Sequence, residues 1–380
     1  MPRRAVVMVA AIVFAAVGSI PARGVLPGEL PLSPPAVPLC DRAAGDADST
    51  VTRDGSHLRV ASFNVLHTQD PDGLATVEQR IPMLTDAIAD AGVDVVGLQE
   101  VSRSGNHGLV AARLAQGLAA ATGDTWQWCW FASNPHVHYE PEPQPGGGGG
   151  PLTELAASAA GAQSGNGSEF REGLALLTRF SVLDAAVTRL PLRVHEAALC
   201  VPPDPIDCNF AALFDSRALL RVRVETPSGE LDVYTTHIAH GLTVASDDTK
   251  LRQVRAALDS IDATARPDPL PDIFVGDFNS VEGDTRYQAV LGRGFVDTYR
   301  VANPAADGFT APQDVTGDTS TVSERIDFVF ARRGACLLEV TESDVFGGQP
   351  ADRDGGPGLV WPSDHYGVVA ELSVACSATP

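Results

Sequence analysis

The chain has 380 residues, with 48 acidic against 27 basic side chains, a formal net charge of -21, and 44% hydrophobic residues. That length admits two ordinary domains or one large α/β core, and we read one core. A charge of this sign excludes a broadly basic nucleic-acid surface, because polyanions are repelled at long range. It does not exclude phosphate chemistry at a carboxylate site, where a bound cation inverts the local field.

The chain opens on Met1, Pro2, Arg3 and Arg4, followed by an apolar run from Ala5 to Val17. A charged start, a short apolar stretch and small residues after it are the pattern of a secretory signal peptide, expected over 1–23 with cleavage between Gly18 and Arg23. The run is too short to span a bilayer, and no cysteine near Gly18 to Ala22 could take a lipid, so the expected product is secreted and extracellular. Residues 24–56 are rich in Pro, Ala and Asp without period and read as an N-terminal arm of little regular structure.

A folded domain is expected over 57–376. Apolar and β-branched runs predict strands at Leu58–Asn64 and Val93–Gln99, and helical spacing predicts helices at Val77–Ala91 and Gly108–Thr122. Further strands are predicted at Leu174–Thr178, Leu219–Val224, Asp232–His237, Ile273–Asp277, Ile326–Ala331 and Gly367–Leu372, with a helix at Asp247–Ala263. Hairpins mixed with helical crossovers point to sheets covered by helices on their outer faces. The segment 141–168, with five consecutive glycines at Gly146–Gly150, reads as a mobile loop.

In an exported chain the six cysteines are expected to be oxidised in pairs. Cys200 and Cys208 flank a Pro-rich turn and could close a short loop. Cys336 and Cys376 sit at the ends of two C-terminal strands, which leaves Cys40 for Cys129. Six cysteines allow fifteen pairings, so other connectivities stay open.

Polar residues gather where predicted strands end: Asn64, Glu100, His237, Asp277 with Asn279, Asp327, and the pair Asp364-His365 before the last strand. Singly, each has a plain structural reading: an Asn after a strand caps a turn, and a Glu there faces solvent. Together they have no simple structural cause, since a turn gains nothing from a second carboxylate.

The segments Ala61-Ser-Phe-Asn-Val, Val96-Gly-Leu-Gln-Glu-Val, Thr236-His, Gly276-Asp-Phe-Asn-Ser, Arg325-Ile-Asp-Phe-Val-Phe and Ser363-Asp-His-Tyr resemble, in order, the motifs of the endonuclease/exonuclease/phosphatase family. The resemblance runs from about Leu58 to Leu372. It implies a deoxyribonuclease I-like fold, a four-layer α/β sandwich of two packed mixed β-sheets flanked by helices. It also implies a metal-dependent phosphodiesterase that hydrolyses a phosphate ester by in-line attack of activated water.

Position by position, the resemblance implies that Glu100 binds Mg²⁺ with help from Asn64 and Asp364, a hard oxygen set that suits Mg²⁺, with Mn²⁺ or Ca²⁺ as alternatives, better than zinc. His365 would be base or electrostatic partner at the scissile phosphate, oriented by Asp327. Asp277 would position or deprotonate the water, Asn279 would donate to a phosphate oxygen, and His237 would steady transition-state charge. Glu172, in the deoxyribonuclease branch paired to the second histidine, and Arg217, approaching the phosphate, extend the set toward substrate.

There is one departure: where that branch has a basic residue two after the glutamate, this chain has Ser102, with Arg103 one step later, which weakens minor-groove reading. His136 and His138 beside Tyr139 read as a solvated pair, and His240 as a supporting residue.

The substrate stays open between nucleic acid and a phospholipid headgroup such as that of sphingomyelin. Arg103, Arg171, Arg217 and Arg325 are the cleft cations a nuclease could use, and no Trp/Phe-rich loop marks a lipid-inserting hairpin. An inositol polyphosphate phosphatase and a catalytically silent binding module are the alternatives. No stable protein partner is implied, and a monomer is expected. A metal-free serine hydrolase is poorly supported, because no GxSxG occurs and adjacent Ser363, Asp364 and His365 cannot form a triad.

Overall fold

The computed structural model describes residues 37–44, 57–68, 71–104, 107–133, 138–140, 168–191, 217–240, 244–264, 270–334 and 337–375. The expected signal peptide, most of the 141–168 loop, His136 and the cysteines Cys200, Cys208, Cys336 and Cys376 lie outside them. In chain order the elements are β1 (Leu39–Ala43), β2 (His57–Asn64), α1 (Pro71–Asp90), β3 (Val95–Ser104), β4 (Gly108–Leu109), α2 (Val110–Thr122), β5 (Trp126–Ala132), β6 (His138–Glu140), β7 (Ser168–Thr178), β8 (Ser181–Arg189), β9 (Ala218–Thr226) and β10 (Gly229–His237). Then come α3 (Val244–Thr264), β11 (Asp272–Asp277), α4 (Thr285–Leu291), β12 (Phe295–Asp297), α5 (Thr298–Ala302), β13 (Asp327–Arg332), β14 (Leu337–Phe346), β15 (Ala351–Asp352), β16 (Leu359–Val360) and β17 (Gly367–Ala375).

Besides the two-stranded β15–β16 ribbon, two large mixed sheets result. One has the order β1-β5-β7-β3-β2-β17-β14, with β4 on β3 and β6 on β7; the other has the order β12-β13-β11-β10-β9-β8. Strand alternation decides how they pack, because successive side chains point to opposite faces. In the first sheet Val60, Val95 and Leu176 face inward and Ala61, Val96 and Leu177 outward; in the second, Ile273 and Val275 face inward and Phe274 outward. The inward sets form one core between the sheets. The outward sets take α1 and α2 on one side and α3 and α4 on the other. The molecule is therefore the expected helix-sheet-sheet-helix sandwich.

The sheets pack tightly at Gly97, where a Cβ would lie 2.4 Å from Val275 Cγ2 and 2.8 Å from Thr235 Oγ1. Gly97→Ala should therefore lower unfolding stability by about 1–3 kcal/mol, as overpacking of a tight core does, read as a shifted urea midpoint; an unchanged midpoint would mean the sheets separate freely there.

The N-terminal arm is more ordered than expected. Leu39–Ala43 forms edge strand β1 on β5, Cys40 opposite Cys129, and the two are joined by a disulfide. The strand is almost wholly exposed, so its ladder and cross-link hold it in place of burial, and no hydrophobic pattern announced it. Cys336 and Cys376 adjoin Leu337 and Ala375, which are register partners in the β14–β17 ladder. Among the described residues no helix is long and apolar enough to cross a membrane.

Candidate active site

Topology brings the polar strand ends to one edge. β10 and β11 are parallel with His237 opposite Asp277, and antiparallel β13 starts with Asp327 opposite Asp277. In the other sheet β2 and β3 are parallel, with Asn64 beside Gln99, and β17 runs antiparallel to β2, so Asp364 and His365 arrive beside Asn64. Ser363 fixes that meeting by donating from Oγ to the Asn64 carbonyl at 2.7 Å.

Glu100 departs from the expectation. It does not end β3, which runs on to Ser104. It sits where the β3–β7 register shifts between Leu98 and Val101, at a φ of 58°. A bulge with a left-handed residue re-aims a side chain out of the alternation of its strand, and here it delivers the carboxylate to the cleft.

Asp277 is the hub. Its Oδ1 accepts from the Asn279 N–H at 2.8 Å. Its Oδ2 accepts from Asn64 Nδ2 at 3.1 Å and lies 3.3 Å from His237 Nε2 and 3.8 Å from His365 Nε2. The preceding Gly276 permits this: a Cβ there would strike the Thr236 carbonyl oxygen at 2.3 Å. On the far side of His365, Nδ1 meets Asp327 Oδ2 at 2.8 Å. Asn279 reaches the other histidine, with Nδ2 3.2 Å from His237 Nε2 and donating to the Ile238 carbonyl at 2.9 Å.

Burial sets the charges. Burial and then the Asp327 carboxylate raise the Asp277 pKa to about 7. Burial opposes the charged form of His365, but Asp327 and Asp277 outweigh it and hold the imidazole well above its ordinary value. His237 goes the other way, pushed well below that value by burial and by Arg217. Burial pushes the Glu100 carboxyl up, yet His67, His237 and the Asn64 hydrogen bond outweigh it and leave the pKa at about 2. Asp364 is raised by burial, with Glu100 adding repulsion.

Asn64 is at the site but not with its oxygen forward. Its Oδ1 accepts from the Leu66 N–H at 3.1 Å, while Nδ2 donates to Glu100 at 3.0 Å and to Asp277. The Leu66 amide requires an acceptor, which fixes that orientation. Asn64 therefore holds the two carboxylates through Nδ2, with its oxygen turned to the Leu66 amide.

The cleft, about 540 Å³, is lined by Glu100, Arg217, His237, Asp277, Asn279, Asp364 and His365 together with His240, Lys250 and Arg286. Glu172 does not line it and stands opposite Ser102 in the β3–β7 ladder. Arg325 is not a cleft cation either: it is buried, pairs with Glu282 and Asp297, and lies over the Phe328 ring. Arg103 is exposed on β3 away from the cleft. Ser102, the departure from the nuclease pattern, accepts from the Thr68 N–H at 3.0 Å and so supports the loop after Asn64.

Two functional residues escaped the sequence reading. Arg80, buried in α1, donates to the Val65 and Pro362 carbonyls at 3.0 and 3.1 Å and to Leu66 at 3.2 Å, tying the Asn64 loop to the Asp364 loop. Lys250 donates to the Asn279 carbonyl at 3.1 Å. A signal existed for both: each is a cation placed within the apolar stripe of its helix, Arg80 beside Val77 and Leu84, Lys250 one turn before Val254.

For a divalent cation two donor groups present themselves. Asp277, Asp327 and His365 offer ligand atoms within 4.8 Å of one another; the Asp327 hydrogen bond occupies His365 Nδ1 and leaves Nε2, 3.8 Å from Asp277 Oδ2. Glu100 and Asp364 are two like-charged, oxygen-only groups lining the cleft, and their mutual repulsion is relieved by a hard cation. The donor set of Glu100 and Asp364 fits a magnesium-type ion.

A two-sheet α/β sandwich with carboxylates and imidazoles gathered at its shared edge is the deoxyribonuclease I-like class of fold. The chain belongs to the endonuclease/exonuclease/phosphatase family, whose model matches residues 61–365; members of that family are phosphoester hydrolases. Among solved structures, an endonuclease/exonuclease/phosphatase from Beutenbergia cavernae DSM 12333 is 22% identical with a TM-score of 0.55, over 84% of this chain and 72% of that one. The mannosyl-6-phosphatase of Bacteroides thetaiotaomicron VPI-5482 is 18% identical with a TM-score of 0.54, over 83% and 99%. D. rerio TDP2, complexed with single strand DNA product, is 18% identical with a TM-score of 0.52, over 84% and 99%. No curated protein matches the chain.

Proposed function

We propose that this chain is a secreted, Mg²⁺-dependent phosphodiesterase that hydrolyses a phosphate ester by in-line attack of water. The observation that supports it most is the convergence on Asp277, a buried carboxylate with a pKa near 7 held by Asn64, Asn279 and His237 beside a charged His365. A base poised near neutral pH is suited to take a proton from water at little cost. Asn279 and Asn64 orient that carboxylate, and Asn279 and His237 face the cleft where a phosphate oxygen would lie. The His365 imidazolium, held by Asp327, stabilises the charge that builds on the phosphoryl oxygens. Glu100 and Asp364 would hold the cation, whose contribution is to polarise the phosphoryl group and neutralise its charge. Arg217 adds a guanidinium at the same cleft.

Export agrees with the Met1–Arg23 pattern and with the Cys40–Cys129 disulfide. The test is a panel of plasmid DNA, RNA, sphingomyelin, inositol phosphates and bis-(p-nitrophenyl) phosphate, each with and without Mg²⁺. Cleavage of DNA or RNA alone makes it a nuclease, and cleavage of the lipid alone a sphingomyelinase-like enzyme. Release of phosphate from monoesters alone, or undiminished turnover in chelator, sinks the reading.

The raised Asp277 carboxyl gives cation binding a pH signature. Below about pH 7 the metal-free hub carries a proton, and a divalent charge nearby favours its loss. Mg²⁺ affinity should therefore rise as pH increases toward 7 and level off above it, with proton release detectable by calorimetry in buffers of different ionisation enthalpy. In Asp277→Asn the release should vanish; release that persists would place the proton elsewhere.

A further inference from the structure

Lys250 is a buried cation with no carboxylate in ion-pair contact among the described residues. It projects from α3, is 5% exposed, and lines the cleft with His237 and Asn279. Its Nζ donates to the Asn279 carbonyl, which occupies one of an ammonium's three donors. Among the described residues it makes no ion pair. Burying an ammonium without an ion-pair partner is costly.

Its neighbours increase the imbalance. Arg286, also in the cleft wall, is neutralised by Asp284 and Asp247, each at 2.6 Å. Burial and then Arg286 push the Lys250 pKa down, with Asp247, Asp284 and Asp277 only partly offsetting them. Ser280, next in the chain to the Asn279 that Lys250 bonds, is 3% exposed and lines the same cleft, and its Oγ has no hydrogen-bond partner among the described residues. An unpaired ammonium and an unpaired hydroxyl, buried together in a cleft wall, are the donor set of an anion site.

Asn279 separates this corner from the reaction centre. Its side chain reaches His237, while its carbonyl faces Lys250. An anion on Lys250 and Ser280 is therefore not the phosphoryl group facing Asp277 and His365.

We propose that Lys250 and Ser280 form a second anion subsite, which takes a phosphate group of the substrate other than the one attacked. This rests on the hydrolytic reading above and deepens it: the substrate is one that carries a second phosphate beside the scissile ester. That phosphate could belong to a neighbouring diester of a nucleotide chain or to a small polyol headgroup, and the recognising chemistry is the same.

The test begins with binding, so that it does not depend on turnover. Inorganic phosphate is titrated calorimetrically into the full mature protein in chelator. Lys250→Gln should weaken binding by about tenfold or more and Ser280→Ala by a few-fold, as lost charge-assisted and neutral hydrogen bonds do. Lys250→Arg should retain most of the affinity, and His365→Ala should cost less than Lys250→Gln. Circular dichroism checks folding, and should Lys250→Gln not fold, Ser280→Ala reads the same subsite. Unchanged affinity in Lys250→Gln, or a loss that follows His365→Ala instead, overturns the proposal.

A second arm compares kcat/KM for a trinucleotide and for a deacylated phospholipid diester whose polyol headgroup carries a further phosphate with that for bis-(p-nitrophenyl) phosphate, which has one phosphate. The preference for whichever two-phosphate substrate is used should shrink by about tenfold in Lys250→Gln. A preference independent of Lys250 for both overturns the subsite. Phosphate binding that depends on Lys250 without turnover of any substrate upholds the subsite and removes the hydrolytic reading.

Discussion

Glu100→Gln should lower kcat/KM by roughly 10³-fold, because charge stabilisation by a bound cation is worth several kcal/mol and each 1.36 kcal/mol is tenfold in rate. The substitution keeps the side-chain volume and can keep one of the two accepted contacts, from Asn64 or from the His67 N–H, and circular dichroism on the same sample separates loss of charge from loss of fold. What it removes is the anionic charge, which holds at a pKa of about 2 and so is present at every working pH. Calorimetric Mg²⁺ affinity should fall in parallel, and raising Mg²⁺ should recover part of the rate. Chelation of the wild type should abolish turnover, with restoration on adding Mg²⁺. Full activity in Glu100→Gln would place the cation elsewhere, with the Asp277, Asp327 and His365 group the next site to test.

Glu100 also shows where sequence reading reached and where it stopped. The motif order located the residue, and the alternation of Val95 to Leu98 located its strand. The bulge was not legible, since a left-handed conformation at a glutamate leaves no mark in composition; it follows from a register shift against a strand more than sixty residues later. His237 and Asp277 were readable as strand ends because buried β-runs stop there abruptly, and parallel pairing then sets them side by side. Edge strands β1 and β14 were missed for one physical reason: each is half or more solvated, so period-two burial is weak. The part played by Asn64 turned on which end of an amide meets the Leu66 N–H, a matter of three-dimensional hydrogen bonding that residue type does not encode. Glu172 was carried over from a motif neighbourhood, and the β3–β7 register places it opposite Ser102 and away from the cleft lining. Arg80 and Lys250 were in plain view as charges within apolar helix stripes, a pattern that marks either an error of packing or a buried polar role.

His365→Ala should reduce turnover by about 10³–10⁴-fold, and Asp327→Asn by about 10²–10⁴-fold, the range of positioned proton and charge donors. The pH dependence separates the two substitutions. In the wild type Asp327 holds His365 in its charged form to well above 6.5, despite burial. Activity should therefore rise as Asp277 loses its proton on the acid side, and on the alkaline side fall as the imidazolium loses its own. Replacing the Asp327 carboxylate by an amide removes the charge that raises the histidine, so the alkaline limb should move to lower pH as well as the maximum falling. Stability carries the same sign. A folded-state pKa raised above the ordinary 6.5 stabilises the native protein fully below that pH, and the contribution disappears as pH rises through the folded value. Metal-free wild type should lose thermal stability over that alkaline window relative to His365→Ala, which has no imidazole to titrate. If Asp327→Asn left the alkaline limb in place, the 2.8 Å contact would not govern the charge of His365, and its part in stabilising the phosphoryl oxygens would have to pass to another cation of the cleft, with Arg217 the first to substitute.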